Sequence, residues 1–371
     1  MSPSSERPPL REICRQFPLA GEFEQGEPHG TGHINDTYAV SCRGASGRVR
    51  YILQRINPRV FRDIPALMEN IQRVTEHAAR RGAARPGEPR RQTLRVVPTV
   101  GGAAFLHDAA GQCWRCYDFV EGARTYDILQ DPAQAREAAY AFGDFQGLLA
   151  DLPAPRLHET IPHFHHTRRR YDALRAAAAA DRHGRAAAAR AELEFAAARE
   201  PVVDVLLDQQ ARGLLPERIT HNDTKLNNVM LDDATGRAVC VIDLDTVMPG
   251  LALYDFGDMV RSATNSAAED ETDLGKVHMR MPVFAALVEG YLASARGFLN
   301  AAEVGHLAFS ARLITFEIGV RFLTDFLEGD VYFKTKRPSH NLDRCRCQFA
   351  LVRSIEEQTD AMRRLVDRHA T

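Results

Sequence analysis

The chain has almost no net charge, few cysteines and no long apolar run. Lysine and arginine number 47 against 49 acidic residues in 371, a formal net charge of −2. Such a balance sets up no field for nucleic acid or an anionic membrane surface. No stretch approaches the ~20 apolar residues of a membrane-spanning helix. The start, MSPSSERPPLREICRQ, has charges and prolines but no apolar signal-peptide core. A cytoplasmic protein is therefore expected, with a flexible tail over residues 1–10. Cysteines number seven, an odd count, which suits reduced thiols better than a disulfide framework. Cys113 and Cys116 have CxxC spacing, and Cys345 and Cys347 flank one arginine, so zinc is conceivable. CWRCYDFVEG, however, reads as a strand, where positions i and i+3 face opposite ways. Thiols packed in a core are the reading adopted.

What is present is more specific. THNDTKLNNVML at 220–231 is followed by VCVIDLDTVMPG at 239–250. VML and AVCVI are short apolar, β-rich runs, and DDATGR between them is turn chemistry. A hairpin would bring its outer ends together, making Asn228 and Asp243 neighbours. An amide oxygen and a carboxylate placed there suit Mg²⁺ on ATP phosphates, since hard cations take oxygen ligands. Asp223 enters the hairpin where it could accept the proton of an acceptor hydroxyl. Lys225 could neutralise a transferring phosphate. His221, Asp223 and Asn228 match the kinase catalytic-loop spacing H-x-D-x-x-x-x-N. The letters DFG at Asp255–Gly257 are set aside as the metal motif, because the hairpin returns at Asp243 and Pro249–Gly250 interposes a turn. Asp255 and Asp258 are expected to brace the loop or cap the next helix. Asp245 is open between a second metal ion and a structural role.

Ahead of the loop, GTGHINDTYAV (30–40) and RVRYILQRIN (48–57) read as two strands joined by CRGASG. Gly30, Thr31 and Gly32 stand at the head of the first, where glycine lets backbone approach phosphate. His33 and Asn35 follow as candidate contacts to phosphate or acceptor. The strand that carries a lysine in kinases offers Gln54 and Arg55, on opposite faces, and which of them turns inward stays open. Glu69, on a helix expected from Ile64 to Arg80, would either pair with Arg55 in the kinase manner or be a solvated helix residue. From Asp131 onward the chain is helical, with Asp131 as N-cap and Pro132 at the first turn. The His-rich ETIPHFHHTRRR (His163, His165, His166), with His158 just before it, is expected to be a surface or substrate-side loop. The Ala/Arg-rich stretch 175–200, broken at Gly184, suggests a surface helical hairpin. Helices are expected at 281–298 and 302–328. Arg321 sits among apolar neighbours, so it must pair with Glu317 or Asp325 or face a polar ligand.

The H-x-D-x-x-x-x-N loop, the I-D-x-D run and the later Y-D resemble the aminoglycoside phosphotransferase and choline kinase superfamily. GTGHINDTYAV, YILQRIN, THNDTKLNNVMLD, VIDLDTVMPG and RFLTDFLEGDVYFKTK are most similar to the N-acetylhexosamine 1-kinase family, over about residues 25 to 350. The resemblance implies an α+β, bilobal, protein-kinase-like fold. A small β-rich nucleotide-binding lobe and hinge would occupy 11–122, and a larger helical catalytic and substrate lobe 123–371. It implies ATP and Mg²⁺ as cofactors and transfer to the anomeric hydroxyl of N-acetylglucosamine or N-acetylgalactosamine. Adenine would be read by the main chain near Tyr117, Phe119 and Val120, and Arg321 and Tyr332 would line the sugar pocket. His221 and Asp255 would support the loop. No nucleic-acid or membrane partner is expected. The alternatives are a kinase of another sugar, amino alcohol or aminoglycoside, and a non-catalytic ATP-binding pseudokinase.

Overall fold

The computed structural model describes residues 8–30, 34–45, 47–83 and 92–370. The chain divides into two compact units, Met1–Ala123 and Arg124–Thr371.

The first unit runs α1 (Leu10–Cys14), β1 (Glu22–Pro28), β2 (Asp36–Gly44), β3 (Gly47–Ile56), α2 (Ile64–Ala83), β4 (Val96–Val97), β5 (Leu106–His107) and β6 (Cys113–Asp118). Leu10 thus opens a helix, inside the stretch expected to be a tail. The sheet order is β1-β2-β3-β6-β4, with β5 also on β6. Thr37 pairs with Gln54, and Gln54 with Arg115. β1 was not foreseen. It carries Glu22, Glu24, Gln25 and Glu27 and is mostly exposed at the sheet edge, so it lacks the apolar alternation that announces a strand. The glycine segment accordingly lies between β1 and β2, not ahead of the first strand. One face of the sheet buries Val40, Leu53 and Trp114 with Ile13 and Phe17. α2 buries Leu67, Met68, Ile71 and Val74 at helical spacing.

β7 (Ala123–Arg124) falls at the division, and the second unit continues with α3 (Pro132–Leu149), α4 (Thr167–Ala180), α5 (Arg190–Ala197) and α6 (Val205–Ala211). Strands β8 (Arg218–Thr220), β9 (Val229–Asp232), β10 (Ala238–Val241) and β11 (Met248–Gly250) follow, then α7 (Ala252–Thr264), α8 (Met281–Ala295), α9 (Ala301–Leu327) and α10 (His340–Ala370). The fold class is α+β. β9 and β10 form the expected antiparallel hairpin, Val229 opposite Val241, and β8 pairs with β11. Asp131 caps α3 by accepting from Ala133 N at 2.6 Å. A capping box of Asn300 and Glu303 starts α9. The Ala/Arg-rich stretch becomes the end of α4 and α5, parted by a turn with Asp181 and Gly184 at positive φ. All seven cysteines are free and buried, and the described residues contain no group of three or more His, Cys, Asp or Glu arranged for a metal ion. No described helix is long and apolar enough to cross a membrane.

Asp255, Phe256 and Gly257 lie inside α7, so the literal DFG is helix, not a metal-binding loop. Gly257 is there for close approach. A Cβ at that position would lie 2.5 Å from Ser310 O and 2.7 Å from Ile314 Cγ1 on α9. Gly257→Ala must push the two helices apart, a destabilisation of about 1–3 kcal/mol despite the better helix propensity of alanine. A urea midpoint equal to wild type would show that α7 and α9 have room to spare.

Candidate functional site

The centre of the site is the turn from β8 into β9. Asn222 adopts a left-handed conformation, φ 64°, a backbone state that an L-residue holds only when its surroundings dictate it. They do. Asn222 Nδ2 donates to Thr220 O and Thr246 O, and its N–H donates to Asp255 Oδ1 at 2.7 Å. Asp255 is fully buried on α7 and also accepts from His221 N at 2.8 Å and Gln146 Nε2 at 2.6 Å. Burial pushes its carboxyl above the ordinary aspartate value, against the pull of these donors. Asp258 accepts from Thr224 N at 3.0 Å and is itself held by Arg261 Nε at 2.8 Å. His221 donates from Nε2 to Ile242 O at 2.9 Å and accepts at Nδ1 from Asp223 N at 3.3 Å. Its neutral tautomer with the proton on Nε2 satisfies both partners.

On this frame Asp223, Lys225 and Asn228 come together. Lys225 Nζ stands 2.9 Å from Asp223 Oδ1. Burial alone would raise the Asp223 pKa, but the charge and hydrogen bond of Lys225 outweigh it and hold the carboxyl below the ordinary 3.8. Reciprocally, burial pulls Lys225 down and Asp223 more than restores it, above 10.5. The Lys225 side chain is still 47% exposed, so solvent screens the pair and little stability follows from it. Asn228 Nδ2 donates to Asp223 O at 2.7 Å and to Asp223 Oδ2 at 3.1 Å. Both bonds need a donor, which fixes the amide and turns Oδ1 away from Asp223. Ile242 N donates to Asn228 O at 2.9 Å, closing the hairpin so that Asp243 is the next residue. Asp243 is exposed, at φ 59°. An amide oxygen turned away from Asp223 and an exposed carboxylate at one end of a hairpin are a donor set suited to a hard divalent cation. Asp245 is buried in the following turn.

A family model for the APH-type phosphotransferase enzyme family matches residues 25–296. The chain belongs to that family. Among solved structures, this phosphotransferase is similar to an aminoglycoside phosphotransferase from Alicyclobacillus acidocaldarius, with a TM-score of 0.63 at 15% identity, covering 99% of this chain and 98% of that one. It is similar to choline kinase from Cryptosporidium parvum, with a TM-score of 0.56 at 12% identity over 95% and 96% of the two chains. An amicoumacin kinase in complex with AMP-PNP and Ca²⁺ matches with a TM-score of 0.56 at 13% identity, over 94% of this chain and 93% of that one. At such identities the likeness is one of fold, the protein-kinase-like fold of these enzymes.

The other candidate residues of the phosphotransferase fall as follows. Thr31, Gly32 and His33 lie outside the described residues; Gly30 has φ 75°. Gln54 donates to Thr37 Oγ1 at 2.9 Å and accepts from Arg115 Nε at 2.9 Å, and Arg115 Nη1 lies 4.0 Å from Met68 Sδ on α2. Gln54 is therefore the residue on the α2 side. Arg55 is on the opposite face, paired with Asp36 and 5.8 Å from the Trp114 ring. The expected Arg55–Glu69 pair does not form. Antiparallel register sets Arg55 opposite Asp36, while Glu69 bridges Arg73 at 3.7 Å. Asn35 Oδ1 accepts from Asn57 N at 3.0 Å, bracing the entry to β2. Tyr117 is paired in the sheet with Ile52 and Val96. Phe119 lies under Arg50, 3.8 Å from guanidinium carbon to ring centroid, and Val120 is buried.

Arg321 pairs with neither of the carboxylates that flank it on α9. Glu317 binds His165 Nδ1 at 2.8 Å. Asp325 accepts from the backbone N–H groups of Val331, Tyr332 and Phe333 at 2.7–3.0 Å. Neither carboxylate pairs with Arg321. Its guanidinium lies 4.9, 5.9 and 5.7 Å from the ring centroids of Phe164, Tyr332 and Phe333, and no described residue hydrogen-bonds or ion-pairs with it. Burial, then the charge of Arg321, pushes the neighbouring Arg170 guanidinium below its ordinary value. The His-rich segment is only partly the loop expected. His165 is buried and reaches Asn222 O at 3.2 Å, which joins this aromatic wall to the Asp223 loop. Sequence reasoning placed His165 only as one histidine of a surface or substrate-side loop and did not single out Phe164, Arg170 or Gln146, because only tertiary structure brings them here.

Proposed function

We propose that the protein transfers the γ-phosphoryl group of ATP to the anomeric hydroxyl of an N-acetylhexosamine. The observation that carries the acceptor class is Arg321, a guanidinium with open donors over three aromatic rings, beside a second guanidinium, Arg170. Hydroxyls and an acetamido carbonyl can accept from such donors, and Tyr332, 59% exposed, offers a ring face to sugar C–H groups. A cationic acceptor such as an amino alcohol or an aminoglycoside meets repulsion there. The similarity of five sequence blocks to N-acetylhexosamine 1-kinases supports the same class and supplies the anomeric position. Intact Asp223, Asn228 and Asp243 support a catalyst over an ATP-binding pseudokinase.

In this reading Asp223 takes the proton of the attacking hydroxyl while Lys225 offsets charge on the transferring group. Asn228 Oδ1 and the Asp243 carboxylate would hold Mg²⁺, which when bound neutralises charge on the phosphates. The relative of this fold in complex with AMP-PNP and Ca²⁺ supports a nucleotide with a divalent cation. The nucleotide contacts proposed for Gly30, Gln54 and Val120 belong to the N-terminal unit. ATP consumption with Mg²⁺ is the test, against N-acetylglucosamine, N-acetylgalactosamine, glucose, galactose, choline, homoserine and kanamycin. Turnover is expected with the N-acetyl sugars and none with their methyl glycosides, whose anomeric oxygen is blocked. Turnover of choline or kanamycin with the N-acetyl sugars silent would overturn the acceptor class.

A further inference from the structure

The peptide unit between Asn222 and Asp223 is held at both poles by imidazoles. Its N–H, on Asp223, donates to His221 Nδ1 at 3.3 Å, and its carbonyl, on Asn222, faces His165 Nε2 at 3.2 Å. The two histidines lead in different directions. His221 continues through Nε2 to Ile242 O, the residue before Asp243. His165 continues through Nδ1 to Glu317 Oε1 at 2.8 Å, one helical turn before Arg321 on α9. One peptide plane is thereby tied to the end of the β9–β10 hairpin and to the aromatic wall.

Proton accounting makes the His165 side unusual. A backbone carbonyl only accepts, and so does an ionised carboxylate, so a neutral imidazole with an ionised Glu317 can satisfy only one of the two. Satisfying both takes one proton on Nε2 and a second within the Nδ1–Oε1 bond. His165 and Glu317 side chains are 3% and 0% exposed, so water does not substitute for either bond. Glu317 Oε2 has no hydrogen-bond partner among the described residues, which leaves His165 as the hydrogen-bonding anchor of that carboxyl there. Phe164 and Tyr254 rings pack against the imidazole, at 4.7 and 5.3 Å between centroids.

We propose that His165 is a positioning residue, which through its Nε2–H fixes the Asn222–Asp223 peptide plane and so aims the Asp223 carboxylate from the substrate wall. The proposal rests on Asp223 as the catalytic carboxylate. It makes no use of the identity of the acceptor. Misplacement of a reacting group by about 1 Å can cost on the order of a hundredfold in rate, and the Asp223 side chain pivots on this plane.

The experiment compares His165→Gln with His165→Asn. Glutamine can present an N–H where Nε2 was, towards Asn222 O. Asparagine is shorter and can reach only the Glu317 side. The expected result is a kcat about ten- to a hundredfold lower for His165→Asn, recovered to within severalfold by His165→Gln, with acceptor KM changed by no more than about twofold in both. Equal losses in the two variants, or a change in KM alone, would overturn the proposal. Should the variants fail to fold, ¹⁵N-histidine NMR of the wild-type protein decides. A proton on His165 Nε2 supports the bond to the loop, and an unprotonated Nε2 excludes it. The NMR measurement needs no turnover, so a wild-type enzyme silent on every sugar would fail the sugar reading and leave this one standing or falling by itself.

Discussion

Asp223→Asn is expected to lower turnover by about two to four orders of magnitude, the range over which a positioned general base contributes, while leaving the fold intact. The substitution keeps the shape of the side chain. Asn228 Nδ2 now faces an amide that must present its oxygen to accept, and Lys225 Nζ, 2.9 Å from Asp223 Oδ1 in the wild type, loses its counter-charge. Lys225 is half-exposed and can turn to water, so the cost in stability stays below about 1 kcal/mol. A coupled ATPase assay with the acceptor found in the panel, paired with a urea midpoint, separates the two effects. Near-full turnover in Asp223→Asn would remove the catalytic assignment. The pH dependence has a definite sign. Because Lys225 depresses the Asp223 pKa below 3.8, the base is ionised throughout the neutral range and its acid limb lies at low pH. Lys225→Met removes the largest opposition to burial, leaving the weaker pull of His221 and Arg261, so that limb moves to higher pH. The pair's small contribution to stability is present above the unfolded aspartate pKa and is lost as pH falls through the folded one.

What could be read before folding was what is local in sequence. Asp223, Asn228 and Asp243 sit on one hairpin, and strand periodicity plus a turn suffice to bring them together. Asp131 as a cap and the apolar faces of α2, α8 and α9 are equally local. The failures are matters of register, of distance or, for β1, of a missing local signal. Arg55 was expected to find Glu69, but the pairing of β2 with β3 sets it against Asp36, and no single-strand pattern encodes that choice. β1 is an edge strand built of glutamates, so hydrophobic alternation is absent where a strand nonetheless forms. His165 lies 57 residues from Asn222 and 152 from Glu317, and in sequence it is one histidine among several. Arg321 was recognisable as a problem, a charge among apolar neighbours. The aromatic rings and open donors that surround it exist only once Phe164 and the loop after α9 converge.

The DFG letters show how a motif can mislead about chemistry and still mark an indispensable residue. Asp255→Asn is expected to destabilise the protein by about 3 kcal/mol and to lower activity with it. Three donors converge on the Asp255 carboxylate, the N–H groups of His221 and Asn222 and Gln146 Nε2. An amide offers one acceptor oxygen and turns an NH₂ towards the rest. Gln146 could flip to present its oxygen, at the expense of Tyr291 OH, which now donates to Gln146 Oε1 at 2.6 Å. Neither backbone N–H has such freedom, so at least one stays buried without an acceptor. An orphaned buried donor costs about 1–3 kcal/mol, and the lost bonds to a charged acceptor are the stronger kind. Relief from burying a carboxylate works in the opposite direction, which is why the sum is expected near 3 and not higher. The lost bonds are those that hold His221 and the left-handed Asn222, so the Asp223 peptide loosens even in molecules that remain folded. Gln146→Ala, which removes one donor and leaves both backbone bonds, should fall well short of Asp255→Asn in urea midpoint and in kcat. Equal effects from the two would mean that Gln146, not the pair of backbone amides, is what Asp255 is there to hold.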